Sequence, residues 1–204
     1  VIDKQWCQRC VDLWRRKKDI ANKPRTVARR LIDMVDAQYV EADIEKIQQP
    51  YRQQLIDSGN QDVFIWGDVG VGKTYAMAAL AKHYLCDGYE CKWLNFDTFC
   101  SRVRSTWNNN SRITEYELIE QIAAVDKIFI DDIGLRSKQE TDFAYVTFYS
   151  IINKRQGRKL QTIISTNKNI DQLAGAFDYR IASRLSTAIN IHIDGSDRRL
   201  TNDI

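Results

Sequence analysis

A three-layer α/β fold, with a five-stranded parallel sheet covered by helices on both faces, is the architecture the sequence predicts. Three observations lead to it. Short apolar, β-branched runs alternate with segments of helical periodicity; a glycine-rich loop, 67-GDVGVGKT-74, joins the first such run to the first long helical segment; and 204 residues with 44% hydrophobic content suffice for one core of this kind plus a short appendage.

The strands are read at 63-VFIW-66, 91-CKWLN-95, 127-KIFID-131, 161-QTIIST-166 and 188-AINIHI-193. Helical spacing is read at about 43–57, 73–86, 97–106, 114–123, 140–155 and 179–185, so a helix falls between successive strands, as parallel pairing requires. The only prolines are Pro24 and Pro50, and Pro24 is read as separating a basic segment from the remainder of the chain. Ligands of such sheets bind beyond the carboxyl ends of the strands, which directs attention to the residues just after each run.

The net charge of +3 is unevenly distributed: residues 1–30 hold ten Lys or Arg against three Asp. The basic blocks 15-RRKK-18 and 25-RTVARR-30 suit phosphates or an acidic protein surface; a solvated arm is the alternative. Residues 1–36 are accordingly read as a basic N-terminal segment, with Trp6, Leu13 and Trp14 giving it the character of a partner-docking helix, and residues 37–204 as the folded domain. No apolar run reaches the roughly 18 to 20 residues of a membrane span and no signal core is present, which points to a soluble cytoplasmic protein. Five scattered cysteines do not resemble a disulfide framework; Cys7 and Cys10 are either ordinary thiols or the remnant of a zinc-binding module.

The loop 67–74 fits G-x-x-x-x-G-K-[ST] through Gly67, Gly72, Lys73 and Thr74. Its backbone N–H groups and the following helix N-terminus suit phosphate oxygens, Lys73 suits the β- and γ-phosphates, and Thr74 suits Mg²⁺. Asp68, Val69, Gly70, Val71 and Tyr75 complete the expected nucleotide contacts. The strand in 127-KIFIDDIG-134 ends on two carboxylates, Asp131 to hold Mg²⁺ and Asp132 to polarise water. Asn167, after the fourth strand, can hydrogen-bond a γ-phosphate or the attacking water, or can simply close a turn. Arg180 and Arg184 share one face of 179-YRIASRL-185, where they can neutralise phosphate charge or form a surface ion-pair face.

GDVGVGKT, IFIDDIG, IISTN and RIASRL occur in an order and at separations that resemble the P-loop ATPases of the AAA+ class, and more narrowly the DnaC/DnaI-type replicative helicase loaders, with the IstB-type transposition ATPases close behind. The resemblance covers about residues 37–199 and includes 39-YVEADIEKI-47 and 195-GSDRR-199. It implies ATP/ADP and Mg²⁺ as ligands, a Walker A loop at 67–74, a Walker B pair at Asp131 and Asp132, sensor 1 at Asn167, an arginine finger at Arg184 acting in a neighbouring copy, a sensor 2 candidate at Arg198, and Tyr39 near the adenine. Asp132 stands where many relatives have Glu, which implies slow hydrolysis. A C-terminal helical lid is not expected after Ile204. The implied partners are a replicative hexameric helicase, single-stranded DNA and a second copy of the chain. For DNA, 97-DTFCSRVRSTWNNN-110 offers Arg102 and Arg104 for phosphates and Trp107 for base stacking; the alternative is that Phe99, Val103 and Trp107 form one buried face.

Overall fold

The computed structural model describes residues 24–108, 111–133, 138–176 and 179–198. Five parallel strands, β1 (Val63–Trp66), β2 (Cys91–Asn95), β3 (Lys127–Asp131), β4 (Gln161–Thr166) and β5 (Ile189–His192), form one sheet in the order β2-β3-β4-β1-β5. The strand alternation sorts side chains to two faces. On β1, Val63 and Ile65 point to one core while Phe64 points to the other; on β4, Ile163 and Ile164 divide in the same way. One face is covered by α1 (Pro24–Met34), α2 (Tyr51–Ile56) and α3 (Lys73–Cys86), and the other by α4 (Phe96–Ser105), α5 (Glu115–Ala123), α6 (Lys138–Gly157), α7 (Ile170–Ala176) and α8 (Tyr179–Leu185).

Helix α3 runs from the glycine loop through the core and is apolar nearly all round, with Ala76 to Ala81 buried. Helix α5 starts at a reciprocal cap: the Thr114 hydroxyl accepts from the Glu117 N–H, and the Glu117 carboxylate accepts from the Thr114 N–H. Two expectations change. The helix read over 43–57 is a 3₁₀ turn at Ile44–Lys46 followed by the short α2, because Pro50 lacks the N–H a continuous helix needs and restricts the residue before it. The described residues open on α1 at Pro24, so the separation expected at Pro24 involves residues outside those described. Val27 and Leu31 of α1 are buried in the same core cluster as Leu80 and Ile65, so the packed unit takes in residues that the charge pattern had assigned to a separate arm. Cys7, Cys10 and the block 15–18 lie outside the described residues.

At the N-terminal edge of the sheet two cations are almost fully enclosed. The Lys127 ammonium donates to Gly59 O (3.0 Å), Asn60 Oδ1 (2.8 Å) and Gln161 Oε1 (2.8 Å) and faces the rings of Tyr84 and Tyr89. Burial still pulls its pKa down to about 8. Arg155, 0% exposed, donates to the carbonyls of Ala123, Val125, Asp126 and Gln161 and to the Thr162 hydroxyl, joining α6 to the α5–β3 turn and to β4. Among the described residues no helix is long and apolar enough to cross a membrane.

Candidate nucleotide-binding site

The glycine loop turns sharply between β1 and α3 because its glycines adopt φ values closed to other residues. Gly67 has φ 154° and Gly70 φ 81°. A Cβ on Gly67 would stand 2.2 Å from the Ile193 carbonyl oxygen, and one on Gly70 would stand 1.9 Å from Asp197 Oδ1. The loop is thus open backbone that the segment after β5 closely approaches. Val71 is buried beneath it while Asp68 and Val69 are exposed above. Lys73 folds back along the loop and donates to the carbonyls of Gly67 (2.9 Å) and Asp68 (2.7 Å), which holds its ammonium inside the turn at the start of α3.

Strand β4 is the spacer between β1 and β3, and Ser165 on it reaches the aspartates. The Ser165 hydroxyl donates to Asp131 Oδ1 in a short contact and accepts from the Asp132 N–H at 3.1 Å. Asp132 bends the chain at this point with φ 53°, a left-handed conformation that Asp tolerates better than most residues, and its side chain is exposed. Burial raises the Asp131 pKa above the ordinary carboxylate value, with Asp132 adding to the effect, while the hydroxyls of Ser165 and Thr74 oppose it. Thr74 and Asp131 therefore share one locality although one strand, β4, separates their origins. A hydroxyl and a buried carboxylate side by side are the hard oxygen donors that suit Mg²⁺, and a cation there would offset the burial of Asp131. A cation placed there would be held more firmly as pH rises through the raised Asp131 pKa, since proton and metal would compete for the same oxygens. Asn167 is exposed just past β4, between loop and aspartates. Ser165 was missed in the sequence, where it reads as one more strand residue.

The remaining expected contacts divide. The Arg198 N–H donates to Gly70 O (3.1 Å) and its side chain lies alongside Gly72, so it belongs to the loop region. Asp197, unforeseen, presses its carboxylate on Gly70. Tyr39, like Tyr75 and Trp93, packs against the cluster of Ala42, Ala78 and Ala79 on the flank of α3. Arg180 and Arg184 are elsewhere. Arg184 bonds to Gln156, whose amide also reaches Asp62 before β1, so Arg184 stands at the N-terminal edge of the sheet. The loop stands at the other end of β1, about 13 Å away for a strand of this length. The chain's own phosphate loop is out of its reach.

For the expected DNA contacts, Phe99 and Val103 are buried but Trp107 is 60% exposed, because α4 ends at Ser105 and the stripe does not continue. The Trp107 indole donates to Glu115 Oε2 (2.7 Å) and its ring meets the edge of Phe143, over which the Arg104 guanidinium also sits. Arg102 is exposed.

A phosphate loop and an acid pair, set across one intervening strand, give the domain the three-layer fold of the P-loop AAA+ class. Within that class a family model, the bacterial DnaA ATPase domain, matches residues 28–192, and the chain belongs to this family. It is 27% identical over 128 residues to the replicative helicase loader DnaC of Escherichia coli K12, covering 62% of this chain and 51% of DnaC. Among solved structures, DnaI superposes with a TM-score of 0.67 at 19% identity, covering 81% of this chain and 94% of DnaI. A DnaA bound to AMPPCP and single-stranded DNA gives 0.66 at 20% identity, covering 76% and 50%. These two likenesses are of fold. The chain spans about half or less of the length of the curated relatives it matches.

Proposed function

We propose that this chain is an ATP-dependent switch that helps place a replicative hexameric helicase on single-stranded DNA. The observation carrying this reading is that the Thr74 hydroxyl, at the head of α3, hydrogen-bonds the Asp131 carboxylate at the end of β3. The likeness to DnaC supports the choice of process.

In this reading the loop N–H groups of residues 67–74 and the Lys73 ammonium hold the triphosphate, and Thr74 and Asp131 hold Mg²⁺. When bound, the metal supplies charge neutralisation for the phosphates. Asp132, exposed and turned outward by its left-handed backbone, accepts a proton from the attacking water, while Asn167 orients that water or the γ-phosphate. Asp132 is a carboxylate with a short reach, consistent with slow turnover suited to a switch. Arg184, at the far end of the sheet, completes the site of a second copy. Arg102, Arg104 and Trp107 form the DNA-contacting surface, with Trp107 stacking on a base.

The test is a loading assay on bead-bound single-stranded DNA, with the host's hexameric helicase added with and without the chain and ATP. Retained helicase rises only when chain and ATP are both present. Trp107→Ala lowers the chain's own DNA affinity by about tenfold, the value of one stacked base. Helicase retention that is the same with and without the chain would contradict the proposal.

A further inference from the structure

We propose that Gln156, together with Tyr149, is a positioning residue that presets Arg184 for the phosphates of a neighbouring copy; this rests on reading Arg184 as acting in trans. Gln156 Nε2 donates to the Arg184 carbonyl (3.0 Å) and to Asp62 Oδ2 (3.5 Å), and Asp62 is itself fixed by the Thr162 N–H (2.6 Å). Only an NH₂ group can donate to two oxygens, so these contacts fix which way the amide faces. Its oxygen is then turned to the guanidinium, accepting from Arg184 Nη1 at 3.0 Å. The second arm, Nη2, donates to the Tyr149 hydroxyl at 3.0 Å, and the guanidinium carbon lies 4.9 Å from the centre of the Tyr149 ring.

Arg184 is thus clasped at its backbone by one end of Gln156 and at its tip by the other. The base of the clasp is rigid, since Arg155, the preceding residue, is locked to β4 and the β3 approach by buried bonds. The hydrogen-bonding partners of the Arg184 guanidinium among the described residues are an amide and a phenol, both neutral. A surface ion-pair face would have supplied a carboxylate. The charge is held by neutral hydrogen-bond partners, and Arg184 lines an open cleft of about 980 Å³ together with Arg180, Ser183, Lys159 and Asp62. Such preorganisation favours an anion brought by another molecule, because the side chain need not be ordered at the moment of contact.

The experiment uses two chains that cannot complete a site alone. The acceptor carries Arg184→Ala and binds nucleotide; the donor carries Lys73→Ala and offers only its arginine. Pairing is measured by fluorescence of a labelled acceptor with AMPPCP and Mg²⁺, and ATP turnover is measured in parallel. Donor and acceptor pair and restore turnover when mixed. A donor that also carries Gln156→Ala pairs about tenfold more weakly, and Tyr149→Phe, which keeps the ring, gives a smaller loss. Thermal melting of each donor shows that it is folded. If the donor with Gln156→Ala or Tyr149→Phe pairs and stimulates as well as the donor without it, the positioning role is overturned while the trans reading stands. If the original mixture neither pairs nor turns over ATP, the trans reading falls, and the positioning role with it.

Discussion

Lys73→Ala is expected to weaken binding of AMPPCP with Mg²⁺ by about a hundredfold, the equivalent of about 2.7 kcal/mol. The ammonium is the fixed positive charge of the loop, held at 2.9 and 2.7 Å from the carbonyls of Gly67 and Asp68. Its removal takes a charge-assisted donor from the phosphates and leaves those carbonyls without their donor. The effect belongs to the ligand more than to the fold. Lys73 is enclosed by the loop, not by the main core, so the nucleotide-free melting temperature should move by only about 2–4 °C, the shift that ~1 kcal/mol produces in a chain of this size. Titration calorimetry and thermal melting separate the two quantities, and unchanged affinity would contradict the role given to Lys73.

The largest effect on stability is expected from Arg155→Met. Methionine fills much of the same volume but donates nothing, so four backbone carbonyls and the Thr162 hydroxyl lose their buried partner together. Burial draws the Arg155 pKa down to about 10, which still leaves it charged at neutral pH and makes its hydrogen bonds strong. Breaking such a network costs about 3–5 kcal/mol, a large share of the roughly 5–15 kcal/mol that stabilises an ordinary domain. The urea midpoint should fall steeply with an unchanged slope. A midpoint equal to that of the parent would mean that the carbonyls find water or other donors. Because Arg155 adjoins Gln156, the same substitution should also loosen the clasp on Arg184.

The strands and the phosphate loop could be read in the sequence because each is a contiguous run whose pattern carries its own cause. Four of the five strands have the bounds expected, and β5 is shorter by one residue at each end. Helix α1 was obscured by its charge: PRTVARRLIDM looks like a basic arm until Val27 and Leu31 are seen to share a face. Helix α7, IDQLAGA, is too short for its periodicity to stand out. The burial of Lys127 and Arg155 could not be anticipated, since a cation in a sequence reads as solvent-exposed and its acceptors here are mostly backbone carbonyls, which no residue type announces. Ser165, Asp197 and Gln156 were hidden for a related reason. Their significance lies in partners brought close by the sheet, as with Gln156 and Asp62, 94 positions apart in the chain. The resemblance located Arg184 but not what holds it.

Thr74 and Asp131 must form one metal-binding place beside the phosphate loop for nucleotide to be held as proposed. The most direct measurement is calorimetric titration of AMPPCP with and without Mg²⁺, for the parent chain and for Asp131→Asn. Mg²⁺ should tighten binding to the parent chain by about tenfold or more and have little effect on Asp131→Asn, with metal-free binding similar in both. An Asp131→Asn chain that keeps the full benefit of Mg²⁺ would place the metal elsewhere and contradict this assignment.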